Sequence, residues 1–95
     1  MNTQILEDIG LTNAEIKVYL ALLELGTATA GPILVNSELQ NSVVHMTLNK
    51  LIEKGFVTSV KEGKRNQYQA TNPKNISTYI NEKKERFEEL LQNYW

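Results

Sequence analysis

The chain has 95 residues, 41% hydrophobic and 22% charged, with 10 basic and 11 acidic side chains, a single histidine and no cysteine. That length allows one small core with an attached helix and leaves no room for two independent cores, while the absence of cysteine removes disulfides, thiolate metal sites and cysteine nucleophiles. The longest apolar run, "VYLALL" at 18–23, is too short to cross a bilayer, and the acidic start "MNTQILEDIG" is unlike a secretory signal, so a cytoplasmic protein without a membrane partner is expected.

In chain order, Ile5, Leu6 and Ile9 form a first periodic segment closed by Gly10, which reads as a short helix with a glycine past its end. Thr12 and Glu15 then have the spacing of a capping box and open a helix that runs to Leu25 and stops at Gly26. Ile16, Tyr19, Leu20 and Leu23 make one apolar stripe of this helix, and Val18, Ala21, Leu22 and Leu25 an adjacent one. Apolar around most of its girth, it should be the buried centre. Thr29 is the expected cap of a short third helix with Pro32 in its first turn and Ile33 and Leu34 facing inward, followed by a turn through residues 36–39.

The segment "LQNSVVHMTLNKLIEKGF", residues 39–56, winds into a fourth helix, about 41–54. Val44, Leu48, Leu51 and Ile52 fall on a packing side, Ser42, Val43, Met46, Asn49, Lys50 and Glu53 on the opposite side, and His45 at the border. Beyond Gly55, "FVTSVK" and "NQYQAT" are β-rich runs around "EGKR", a hairpin with a basic tip whose alternation directs Phe56, Val60, Tyr68 and Ala70 toward a core. Asn72 or Asn75 caps a last helix after Pro73. There Ile76, Ile80, Lys83, Phe87, Leu90 and Tyr94 recur at alternating spacings of 4 and 3, a heptad seam broken once by Lys83 and widened by Tyr79 and Leu91. This seam is expected to pair with its copy in a second subunit, the alternative being that it folds back on its own domain.

Helix, short helix, turn, helix and hairpin is the layout of a winged helix-turn-helix, which places its last helix in a major groove and its hairpin beside the backbone. The expected fold class is therefore mainly α (α+β), with a DNA-binding domain over 1–72 and a coiled-coil-like dimerisation helix over 73–95.

The charges fit that layout. Residues 1–40 hold Lys17 against five acidic side chains, net −4; residues 41–75 hold six basic side chains against Glu53 and Glu62, net +4; the rest is net −1. Such segregation gives one face a field that attracts a polyanion although the whole chain is slightly acidic.

The stretches "LTNAEIKVYLALLELGTATAG", "LNKLIEKGFV" and "KEGKRNQYQAT" resemble the N-terminal winged-helix domain of the TrmB-type regulators of archaea, over roughly residues 5–72, glycines 10, 26, 55 and 63 included. The resemblance implies DNA binding and dimerisation. Longer members carry a C-terminal sugar-binding domain that this chain is expected to lack. It departs from the family pattern in two places: Glu38 stands where a glycine is usual in the turn before the recognition helix, and Asn41, Val43 and His45 stand where arginine, lysine or tyrosine is common.

A bidentate arginine contact to guanine is thus missing, and the amides of Gln40, Asn41 and Asn49, the hydroxyl of Ser42 and the apolar ends of Val43 and Met46 suit adenine edges and thymine methyls. His45 reads as a partly buried helix residue or a phosphate contact. An A·T-rich, pseudo-palindromic duplex is the expected target, with Lys50, Lys54, Lys61, Lys64 and Arg65 supplying phosphate contacts. The function read from the sequence is a homodimeric, sequence-specific transcriptional regulator. The alternative is a winged helix that docks on a protein through its uncharged helix face. Phosphate-loop, metal and nucleophile signatures are lacking, so neither an enzyme nor a cofactor or small-molecule effector is expected.

Overall fold

The computed structural model describes residues 3–72 and 74–94; Met1, Pro73 and Trp95, limits of the expected domains, lie outside them. Five helices and one hairpin follow in the order α1 Gln4–Asp8, α2 Asn13–Leu25, α3 Ala30–Ser37, α4 Asn41–Lys54, β1 Val57–Glu62, β2 Arg65–Ala70 and α5 Lys74–Tyr94. This is the winged helix-turn-helix, extended by a long C-terminal helix.

Helix α2 forms where its cap predicts. The Thr12 hydroxyl accepts from the Glu15 amide at 3.2 Å, and the Thr12 amide donates to the Glu15 carboxylate at 2.8 Å, so two N–H groups of the first turn are satisfied. Val18, Tyr19, Ala21 and Leu22 are buried along it, but Leu23 of the first apolar stripe and Leu25 of the second are 42% and 38% exposed, so each stripe is covered only in part. The expected cap of α3 is different: Thr29 is at the N-cap without a side-chain hydrogen bond. The turn behind α3 is also shorter than the sequence suggests, because Asn36 and Ser37 remain helical. Ser37 makes this tight reversal feasible. Its hydroxyl donates to the Leu34 carbonyl and accepts from the Leu39 amide, both at 3.4 Å.

Helix α4 carries Val44, Leu48 and Leu51, each fully buried, against α2. It ends at Gly55, whose left-handed φ of 83° lets the Phe56 amide return to the Leu51 carbonyl at 2.9 Å. Phe56 is then the hub of the core. Its ring meets Tyr19 of α2 edge-on at 5.7 Å and Tyr79 of α5 at 5.1 Å.

The hairpin pairs Val57 with Ala70 through Glu62 with Arg65, leaving Gly63 and Lys64 as a two-residue loop in which Gly63 takes φ +61°. This register corrects the expected alternation. Phe56 precedes the strand at a bend, so the buried face begins at Val57, 1% exposed, and Val60 points outward at 64%. A further link was not legible in the sequence: Ala28, between α2 and α3, exchanges backbone hydrogen bonds with Tyr68 at 3.0 and 2.7 Å and ties the hairpin to the helical body.

Helix α5 starts where Asn72 accepts from the Lys74 amide at 2.9 Å. Its first turns dock on the domain through Ile76 and Tyr79, while Ile80, Phe87, Leu90, Leu91 and Tyr94 are exposed. No helix among the described residues is long and apolar enough to cross a membrane.

Candidate nucleic-acid interface

The outward face of α4 follows from helical geometry. With Val44, Leu48 and Leu51 buried, residues about half a turn away must face solvent, and Asn41, Ser42, His45, Met46, Asn49, Lys50 and Glu53 are all exposed. Met46, at 55%, is an exposed apolar side chain amid amides and hydroxyls. Val43 is half-buried at the margin, and Gln40 is exposed at the N-cap position with no side-chain capping bond. The six residues expected to read bases, and His45 with them, are thereby brought to one helix and its N-terminal approach. No lysine or arginine precedes Lys50 on this helix.

Cations lie beside it. Lys61, Lys64 and Arg65 are exposed on the hairpin, and a cleft of about 490 Å3 is lined by Lys64, Arg65, Asn66 and Tyr68 of the hairpin, His45 of α4 and Thr29 to Pro32 at the start of α3. His45 is therefore exposed, not partly buried as one of its two expected roles required, and it faces the wing. The part played by α3 was missed in the sequence. Its only local signal is the pair Thr29 and Pro32, read there as a helix start. The concavity combines two cationic side chains, an imidazole and the N-terminal end of a helix, all of which favour an anion.

Lys54 has a different place from the one expected of a phosphate contact. Its Nζ lies 2.6 Å from Oε2 and 2.8 Å from Oε1 of Glu15, a carboxylate only 1% exposed. Only Oε1 meets Lys54 in hydrogen-bonding geometry. Burial alone would push the Glu15 carboxyl up, but the bond from Lys54 and the capping interactions with Thr12 outweigh it and hold the group below its ordinary value. Lys54 thus anchors the end of α4 to the start of α2. Lys50, Lys61, Lys64 and Arg65, the other four cations expected to contact phosphate, are exposed. On α5, Tyr79 is 8% exposed inside its own domain and Lys83 lies with Nζ 5.1 Å from the Tyr79 ring centre; these two are engaged locally, as Ile76 is, unlike the exposed Ile80, Phe87, Leu90, Leu91 and Tyr94. Among the described residues no group of three or more His, Cys, Asp or Glu side chains could hold a metal.

Residues 6–74 match the family model described as "Sugar-specific transcriptional regulator TrmB". Among solved structures, the chain is similar to TrmBL2, an archaeal chromatin protein whose structure is described as showing a novel mode of DNA binding. Identity is 27% and TM-score 0.84 over 96% of this chain and 35% of that one. This chain therefore spans about a third of the length of TrmBL2. The ST1889 protein of Sulfolobus tokodaii, 21% identical, aligns over 96% of this chain and 99% of its own with a TM-score of 0.74. The YusO protein of Bacillus subtilis, 19% identical, aligns over 95% and 74% with a TM-score of 0.65; at these identities both show the fold alone. No curated protein matches the chain.

Proposed function

The chain belongs to the TrmB family of transcriptional regulators, and from that premise we propose that it is a dimeric, sequence-specific regulator that sets α4 in the major groove of double-stranded DNA and the hairpin on the flanking backbone. The observation that carries this reading is the division of labour on one surface. The outward face of α4 presents Asn41, Ser42, Met46 and Asn49 without arginine, while Lys64 and Arg65 line a cleft beside it. Amide and methyl contacts then select A·T-rich steps, and the wing supplies the electrostatic part of the affinity. Two α4 helices in a dimer read half-sites about one DNA turn, roughly 34 Å, apart in a pseudo-palindrome.

The test is a gel shift on random duplex at low salt, with the Lys64→Ala/Arg65→Ala double variant beside the parent. Binding by the parent and its loss in the variant support DNA as the partner; no binding by either supports a protein-docking role for the uncharged α4 face. A second reading, sequence-tolerant coating of DNA, is favoured by the lack of any lysine or arginine on α4 before Lys50 and by the description of TrmBL2 as a chromatin protein. Selection from a random DNA pool separates the two, since a regulator enriches paired half-sites and a coating protein enriches none.

A further inference from the structure

Helix α5 leaves the domain with an apolar stripe that its own chain does not cover. Ile80, Phe87, Leu90 and Leu91 are 42% to 54% exposed and Tyr94 81%, a patch of the kind that marks an interaction surface. At the root of the stripe, Ile80 and Lys83 close a groove of about 300 Å3 against Asp8, Ile9 and Gly10 at the end of α1.

The charges of α5 are polarised along its length. Residues 74–84 hold Lys74, Lys83 and Lys84 against Glu82, net +2, and residues 85–94 hold Arg86 against Glu85, Glu88 and Glu89, net −2. A second copy laid parallel would set like halves together and bring Lys83 opposite Lys83 in the seam, where two cations would lose water without a counter-charge. Laid antiparallel, the positive half of each copy meets the negative half of the other. The exposed part of the seam is also symmetric about residue 85, so antiparallel pairing places Ile80 opposite Leu90 and Lys83 opposite Phe87.

Resting on the dimeric reading above, we infer that the occupant of this stripe is α5 of a second copy, antiparallel and centred near Glu85, with Leu90 of the second copy seated at the mouth of the groove between α1 and Ile80. The two winged helices then sit at opposite ends of the helical pair, and α1 contributes to the interface.

Because the chain has no cysteine, disulfide trapping of the full chain tests the orientation directly. Ile80→Cys and Leu90→Cys are made separately at exposed positions, then oxidised alone and as an equimolar mixture, with sedimentation to report the oligomer. In the antiparallel pair the two copies of residue 80 lie ten residues apart, about 15 Å at 1.5 Å per residue, beyond the reach of a disulfide. The expected result is a crosslinked dimer from the mixture and none from either variant alone. Crosslinking of each variant alone, or a sedimenting dimer with no crosslink in any sample, overturns this arrangement while leaving the dimer. A monomer in sedimentation overturns the dimeric reading itself.

Discussion

Glu38 has φ 60° and ψ 22°, the left-handed region, in the turn that aims α4. The Cβ of an L-residue crowds the following carbonyl there at a cost of about 1–2 kcal/mol, which glycine avoids at some expense in unfolded-chain entropy. Glu38→Gly should therefore stabilise the protein by about 1 kcal/mol, read as a rise in the urea midpoint at unchanged slope. A lower midpoint would contradict the strain. A second residue-scale effect belongs to the pair of Glu15 and Lys54. With the folded carboxyl held below the ordinary value of 4.5, the pair contributes its full stability above that pH and loses it as pH falls through the lowered folded value. Glu15→Gln should flatten this acid-side loss in a pH series of unfolding curves. Lys54→Ala strips the cation from a carboxylate 1% exposed and should cost about 3 kcal/mol. The strain at Glu38 was legible as a departure from a usual glycine. The ion pair was not, because residues 39 apart meet only once α2 and α4 have packed.

At the scale of elements, helices and hairpin were readable because their punctuation is local: the capping box of α2, the glycine after α4 and the loop glycine of the hairpin each act within a few residues. What failed was phase. A bend at Phe56 shifts the buried face to Val57 and turns Val60 outward, and alternation counted through a bend assigns the wrong face. The same logic explains the cleft, whose sides come from α3, α4 and the hairpin and are joined by the Ala28 to Tyr68 bridge. For α4 itself, Asn41→Ala, Met46→Ala and Asn49→Ala should each shift base preference at a defined operator position by about 1–3 kcal/mol of discrimination while leaving binding to random duplex nearly unchanged. The check is a binding series on operators altered one base pair at a time. Unaltered preference in all three variants would reduce α4 to a scaffold.

For the whole molecule, the aromatic hub at Phe56 joins the body of the winged helix to the first turns of α5 through Tyr79. The heptad spacing alone did not show that Tyr79 and Ile76 are claimed by their own core; a seam read from sequence cannot say which of its turns a neighbouring domain covers. A stop placed after Lys84 keeps that docking and removes Phe87, Leu90, Leu91 and Tyr94. This truncated chain should stay folded, sediment as a monomer and bind DNA much more weakly than the full chain. A dimer of undiminished affinity would place the interface elsewhere.

If DNA is held by the wing and read by the helix, its affinity must depend steeply on salt. Each phosphate contact contributes about −0.9 to the slope of log affinity against log salt, so a dimer using about six contacts from Lys50, Lys61, Lys64 and Arg65 should give a slope near −5. The Lys64→Ala/Arg65→Ala variant should give a clearly shallower one, and Lys54→Ala, its lysine already held by Glu15, an unchanged one. A slope near zero for the parent, or an undiminished slope without Lys64 and Arg65, would mean that the wing does not hold DNA.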